Sequence, residues 1–169
     1  MALALMCQLR DRGDALPACY AGLTPWFDAR QQGDAALNPR GVDPFLNAAW
    51  VRARFNDYCE PEQLDNPAVS PINANLAQLP PLYLGVGTID TTSDDSTRLA
   101  HRAAQAGVQV LLDINARLVH GMHGLSGMVP EAASASASRR ARRARRAARR
   151  RRRRSRRRRP RRDCSAGGT

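Results

Sequence analysis

The sequence contains no lysine and no long apolar run, and these absences narrow what the chain can be. All 27 basic residues are arginine, a bias that GC-rich codons produce and that carries no information about the fold. No apolar stretch approaches the roughly 20 residues that a membrane-spanning helix needs, so no membrane span is expected. The segment Met1–Cys7 has no basic residue before its apolar part, so it lacks the pattern of a secretory signal peptide.

Paired or regularly spaced cysteines are also missing. The four cysteines are Cys7, Cys19, Cys59 and Cys164, and none of them belongs to a CxxC pair. Isolated thiols of this kind indicate a reducing compartment, and we therefore expect a cytoplasmic protein without a disulfide framework.

The net charge of +12 is unevenly distributed along the chain. Residues 139–162 hold 18 arginines, whereas residues 1–138 hold nine arginines and 14 acidic residues, a net charge of −5. The first part therefore has the composition of a mildly acidic globular domain. We predict one domain over residues 1–133 and a low-complexity tail over residues 134–169, first Ala/Ser-rich and then Arg-rich, which cannot bury a core and is expected to be disordered.

Helical and strand-like segments alternate along the predicted domain. The helical segments are residues 2–12, 45–58, 93–107 and about 125–133, with Ser93 as the predicted cap of the third. The strand-like segments are residues 18–24, 82–86 and 108–114. Strands that alternate with helices predict an α/β fold with a parallel sheet and right-handed crossovers.

An acid and a base follow two of these predicted strands. Asp90 closes the run Leu82-Tyr-Leu-Gly-Val-Gly-Thr-Ile-Asp, and His120 follows Leu118-Val119. The carboxyl ends of parallel strands meet at one edge of the sheet, so the two side chains are expected on neighbouring loops. An orienting carboxylate and a general-base imidazole are two parts of a nucleophilic triad. From the pattern alone, a turn aspartate and a loop histidine without a role stay open as alternatives.

Six pieces of the sequence resemble the alpha/beta-hydrolase fold family, and within it the C-terminal half of the hormone-sensitive-lipase-like esterases. The pieces are Leu16-Pro17 through Thr24-Pro-Trp-Phe-Asp28, Asn66-Pro-Ala-Val-Ser-Pro71, Leu79-Pro-Pro81, Gly87-Thr-Ile-Asp90 with Asp94-Asp-Ser96, Ala106-Gly-Val108 and Val119-His-Gly-Met-His123.

This resemblance implies a fold, a reaction and residue roles. The fold would be three parallel strands with flanking helices, and the reaction would be hydrolysis of a small carboxylic ester through an acyl-serine, without a metal or cofactor. Asp90 would be the triad acid and His120 the general base, while Asp94 or Asp95 would help to fix a loop. His123 is a rival base, but the family's histidine at that place is not catalytic. His101, within a predicted helix, is expected on the surface.

The nucleophile that such an enzyme needs is not found in residues 1–169. The family's Gly-x-Ser-x-Gly elbow and His-Gly-Gly loop do not occur, and the elbow is expected just upstream of Met1. Ser126 stands in Gly-Leu-Ser-Gly, which is not the elbow pattern. Ser165 stands in Ser-Ala-Gly-Gly, but Asp163 replaces the required glycine. We therefore expect the chain alone to be inactive.

The arginine run gives a second hypothesis of a different class. Arg139–Arg162 has the charge to bind nucleic acid nonspecifically through phosphates, although no aromatic residues are interleaved for base stacking. A run without a selected role is the competing interpretation, since GC-rich DNA translated out of frame yields such sequences. The third hypothesis is a truncated remnant without either activity.

Overall fold

The computed structural model describes residues 1–33 and 43–136 of the chain. Within these ranges helices and strands alternate, as the sequence predicts. The elements are α1 (Ala2–Asp11), β1 (Tyr20–Leu23), α2 (Ala48–Tyr58), β2 (Leu82–Gly87), α3 (Ser93–Gln105), β3 (Val110–Asn115) and α4 (130–136). Short 3-10 helices cover Pro61–Gln63, Pro71–Asn73 and Met122–Leu125.

The three strands form one parallel sheet in the order β1-β2-β3. Tyr20 pairs with Leu82, and Leu82 pairs with Val110, so all three strands start at the same level. Every residue of the central strand β2 is buried, which explains its run of apolar residues without polar alternation. The parallel register brings the carboxyl ends of β2 and β3 to the same edge of the sheet, where Gly87 pairs with Asn115.

The core lies between the sheet and helices α1 and α3. Its members are buried apolar side chains from these helices, from β2 and from residues 72–79, together with Phe27 and Val108. The central strand β2 is buried along its whole length, whereas β1 and β3 are only partly buried. The predicted three parallel strands with flanking helices are confirmed.

A glycine in the left-handed conformation follows each of helices α1 and α3. Gly13 after α1 has φ +76° and Gly107 after α3 has φ +78°, left-handed values that glycine adopts without a steric penalty. The cap prediction for α3 is wrong, because the cap position is Thr92 and Ser93 is the first helical residue. The Thr92 hydroxyl does not cap the helix either, since it donates its hydrogen bond to Asp90.

Two helices begin later than predicted. Helix α2 begins at Ala48 rather than at residue 45, because Asn47 caps it by accepting the Trp50 N–H at 2.9 Å. The helix predicted over residues 125–133 instead covers residues 130–136, after a 3-10 turn. Pro130 is its first residue, a position that suits proline. The predicted tail beyond residue 136 lies outside the described residues.

None of the helices in the described ranges is both long enough and apolar enough to cross a membrane.

Candidate active site

Asp90 lies in the turn between β2 and α3 and is 1% exposed. Its Oδ1 atom accepts hydrogen bonds from the Thr92 backbone N–H at 2.8 Å and from the Thr92 hydroxyl at 2.9 Å. The Oδ2 atom is buried and has no hydrogen-bond partner among the described residues. Together with His120, these two groups bring three donors to the Oδ1 atom.

His120 follows β3 and supplies that third donor. Its Nδ1 lies 3.1 Å from Asp90 Oδ1, while the imidazole remains 23% exposed and the carboxylate fully covered. An ionised carboxylate can only accept, so this contact requires the proton on Nδ1. In the neutral ring the Nε2 atom then carries the lone pair. That is the tautomer a general base needs.

The two loops carrying Asp90 and His120 are joined through their backbones. Leu118 O accepts the Ile89 N–H at 3.1 Å, and Thr88 Oγ1 accepts the Arg117 N–H at 2.8 Å. Gly87 permits this approach, because a Cβ atom added to it would lie 1.9 Å from Leu118 O. No other residue type fits there without moving the loop. The spacing of the acid and base thus depends on a glycine at the end of β2.

Sequence reasoning missed Asp43, a buried residue that contacts both loops. Its Oδ2 atom accepts the Thr91 N–H at 3.3 Å and the His120 N–H at 3.1 Å. Its Oδ1 atom accepts the backbone N–H groups of Phe45 at 3.0 Å and Leu46 at 3.4 Å. The Asp43-Pro44 pair predicts a turn. Nothing in the sequence signals partners 48 and 77 positions away.

An aromatic cluster stands beside His120. The Trp26 ring centroid lies 6.0 Å from that of His120, and it also contacts Trp50 at 6.2 Å and Phe55 at 5.6 Å. These distances are typical of favourable ring contacts. The imidazole therefore has an apolar wall on one side, which restricts its movement and limits its access to water.

Thr24 connects the end of β1 with the residue after His120. Its hydroxyl donates to Leu23 O at 2.8 Å and accepts the Gly121 N–H at 3.2 Å. Both Thr24, at φ +47°, and Gly121, at φ +68°, are in the left-handed region. A threonine there is strained, so the hydrogen bond helps to hold a conformation that the backbone alone disfavours.

The loop after β1 is held by Asp95. Its Oδ2 atom accepts the backbone N–H groups of Phe27 at 2.8 Å and Asp28 at 3.0 Å. Burial raises the pKa of Asp95 to about 6, although these two hydrogen bonds oppose the shift. Asp28 in turn pairs with Arg98 at 2.7 Å. Of the two residues predicted to fix a loop, Asp95 makes this contact.

Among the described residues, His120 is the histidine whose ring makes a hydrogen bond with the Asp90 carboxylate. His123 is on the 3-10 helix, where its ring faces Gly85, and His101 is exposed on α3 as predicted. Ser126 is exposed in the turn that follows the 3-10 helix. Ser165 and Arg139–Arg162 lie outside the described residues. The geometry therefore brings together Asp90 and His120, the pair predicted from the sequence.

In the described part of the chain, no group of three or more His, Cys, Asp or Glu side chains is arranged to hold a metal ion.

Sequence comparison finds similar hydrolases. A sequence model of the alpha/beta hydrolase fold matches residues 1–124. An acetyl-hydrolase of Streptomyces hygroscopicus is 29% identical over 120 residues, which are 71% of this chain and 40% of that protein. An esterase of Acinetobacter venetianus is 29% identical over 111 residues, which are 65% of this chain and 37% of that protein. The chain thus spans about 40% of the length of these relatives.

Solved structures give the same likeness. An esterase from the bacterial hormone-sensitive lipase family superposes with a TM-score of 0.75 at 32% identity, over 79% of this chain and 45% of that one. An esterase from an uncultured bacterium superposes with a TM-score of 0.73 at 31% identity, over 79% and 44% respectively. The sheet and its flanking helices therefore match part of a larger esterase domain.

Proposed function

Because this chain belongs to the alpha/beta hydrolase fold family, we propose that Asp90 and His120 are the acid and base of a carboxylic-ester hydrolase. The observation that carries the proposal is the 3.1 Å contact between Asp90 Oδ1 and His120 Nδ1, made by a covered carboxylate and a partly exposed ring. The carboxylate orients the imidazole and stabilises the imidazolium that forms during the reaction. The similar proteins named acetyl-hydrolase and esterase support the substrate class.

In the proposed reaction, His120 takes up and releases a proton in each of two steps. Its Nε2 atom takes the proton of a serine hydroxyl as the serine attacks the ester carbonyl, and then gives this proton to the departing alcohol. Water next attacks the acyl-serine while Nε2 takes one of its protons; the bond between the acyl group and the serine oxygen then breaks, the carboxylic acid leaves, and His120 returns the proton to the serine oxygen. Asp90 keeps the Nδ1 proton in place throughout, so that Nε2 always faces the reacting oxygen.

The serine and the oxyanion donors must come from residues other than these 169. No Gly-x-Ser-x-Gly elbow or His-Gly-Gly loop occurs in the sequence, and in this family the elbow supplies the nucleophile. Loss of a single oxyanion donor already lowers kcat by about 100- to 1,000-fold. Residues 1–169 alone are therefore expected to leave p-nitrophenyl butyrate unhydrolysed above the buffer rate.

A chimera tests the proposed roles directly. A segment bearing the elbow and the His-Gly-Gly loop, taken from a family esterase, is joined before Met1, and hydrolysis of p-nitrophenyl butyrate is measured. The chimera should be active, and His120→Ala should lower its kcat by at least about 1,000-fold because the serine loses its base. The matched control is His101→Ala, which changes an exposed histidine on α3 and should leave kcat unchanged.

Two results would count against the proposal. One is a folded, active chimera whose rate survives His120→Ala. The other is clear turnover by residues 1–169 alone that disappears on Ser165→Ala, which would make Ser165 the nucleophile. The nucleic-acid hypothesis depends on Arg139–Arg162, outside the described residues, and stays a prediction from the sequence.

A further inference from the structure

We propose that Asp43 is a positioning residue that sets the distance between the Asp90 loop and the His120 loop, and so determines whether the acid–base contact forms. This inference rests on the proposed roles of Asp90 and His120. Asp43 touches neither the reacting atoms nor the imidazole nitrogens in the described contacts. It acts through the backbone of the residues that carry them.

One oxygen of Asp43 joins the two loops. Its Oδ2 atom accepts the N–H of Thr91, the residue directly after Asp90, and the N–H of His120 itself. Two backbone positions that are 29 residues apart in the chain are therefore tied to the same atom. The atom binds the backbone of His120 itself and of the residue next to Asp90. A shift of either loop would therefore alter the 3.1 Å contact between the two side chains.

The other oxygen of Asp43 anchors the carboxylate to a third segment. Its Oδ1 atom accepts the N–H groups of Phe45 and Leu46, just before α2. Leu46 O also accepts the Thr91 hydroxyl at 3.0 Å, which adds a second connection from this segment to the Asp90 loop. The segment before α2 thus fixes the position of the carboxylate independently of the two loops that it binds.

Burial makes this arrangement hard to replace. Asp43 is 5% exposed, so water has little access to the N–H groups if the carboxylate is removed, and a buried donor without an acceptor is costly. Both oxygens are used as acceptors for two donors each. An asparagine offers one acceptor oxygen and presents its NH₂ group to the other pair of N–H groups. Asp43→Asn therefore conserves volume but loses one of the two sets of contacts.

The test measures the tautomer of His120 in the full chain, without requiring activity. The sequence has three histidines, so ¹⁵N-histidine labelling gives three ring systems, which His101→Gln and His123→Gln assign. In the unmodified chain, the Nδ1 shift of the neutral His120 ring should be that of a protonated nitrogen. In Asp43→Asn, the ratio of the Nδ1–H to the Nε2–H tautomer should fall at least about tenfold, the change expected from losing one charge-assisted hydrogen bond.

The matched control is Asp28→Asn. Asp28 is also buried and uses both oxygens, for Arg30 N–H, Gln32 N–H and Arg98. This variant should lose stability to urea as Asp43→Asn does, yet keep the His120 tautomer. A purely structural role for Asp43 predicts the same tautomer ratio in both variants, so equal ratios would overturn the proposal.

The outcomes also separate this inference from the proposed function. If the unmodified chain lacks the Nδ1–H tautomer, the acid–base assignment itself fails. If it has this tautomer and Asp43→Asn keeps it, only the positioning role fails. Should Asp43→Asn not fold, Asp43→Ser, which retains one small acceptor, is measured instead. Failure of both to fold would assign Asp43 to folding alone and contradict the proposal.

Discussion

The loop after β1 and the corner that holds Asp90 and His120 use buried aspartates in different ways. In the first region, Asp95 holds the loop with one oxygen, which accepts the N–H groups of Phe27 and Asp28. In the second region, Asp43 uses both oxygens for four N–H groups. An asparagine can reproduce the contacts of the first carboxylate but not those of the second, because it has one acceptor oxygen.

The negative charge also has a different consequence in each region. Burial raises the pKa of Asp95 to about 6, which means that its ionised form is less well stabilised in the fold than in water, even though the two N–H donors of the loop favour that form. The Asp90 carboxylate, by contrast, must accept from His120 Nδ1 to fix the ring. The negative charge of Asp95 therefore costs free energy in the fold, whereas the contact with His120 requires the negative charge of Asp90.

The largest difference in kcat is expected between the variants Asp90→Asn and Asp95→Asn of the active chimera. Asp90→Asn should lower kcat by about 10,000-fold, because its NH₂ group can turn towards Nδ1 and favour the tautomer that leaves Nε2 protonated. Asp95→Asn should leave kcat nearly unchanged, since its carbonyl keeps both loop contacts. Initial rates with p-nitrophenyl butyrate at saturating substrate measure both effects.

The comparison of the two amide variants would fail in either of two ways. Equal losses of kcat would show that the β1 loop matters as much as the acid. A normal rate in Asp90→Asn, with the fold verified by circular dichroism, would remove Asp90 from the mechanism.

The next effect concerns stability and its dependence on pH. Asp95 has a folded pKa of about 6 and an unfolded value near 3.9, so the folded state binds its proton more tightly. This contribution to stability is full below about pH 4 and is lost as the pH rises through about 6. Relative to the unmodified chain, Asp95→Asn should be more stable by up to about 3 kcal/mol at pH 7.5 and equally stable near pH 4.

Urea unfolding at several pH values measures this difference. Asp14→Asn, at an exposed position, is the control and should differ little from the unmodified chain at every pH. A constant difference between Asp95→Asn and the unmodified chain from pH 4 to 7.5 would mean that Asp95 ionises normally in the fold.

The parts of the fold and site that the sequence predicts depend on local or periodic signals. The apolar runs identify all three strands, and a parallel sheet then places Asp90 and His120 at one edge by geometry alone. The choice of His120 over His123 depends on the family resemblance, because the pattern alone leaves both histidines open. The structure places His120, and not His123, at the carboxylate.

The parts that the sequence did not predict depend on contacts between distant residues. Serine is a favourable residue at a helix N-cap, and the sequence therefore predicts Ser93 there. In the structure the cap position is Thr92, one residue earlier, where the threonine hydroxyl is bound to Asp90. Asp43 has only the signal of a turn residue, and its partners Thr91 and His120 come from two other loops. Such a contact exists only after the sheet has brought these loops together.

The smallest effect is expected at Thr24, which connects the two regions. Its hydroxyl accepts the Gly121 N–H next to His120, so Thr24→Val removes one hydrogen bond while keeping the branched shape and the strained backbone. Because Gly121 is exposed, water can take over part of the contact, and the loss should be about 1 kcal/mol of stability and a few-fold reduction of kcat in the chimera. The control is Thr97→Val, which removes a hydroxyl that donates within α3 and should lower stability alone. If Thr24→Val lowered kcat as strongly as Asp90→Asn, the β1 loop would set the position of the base, and the two regions would have to be treated as one site.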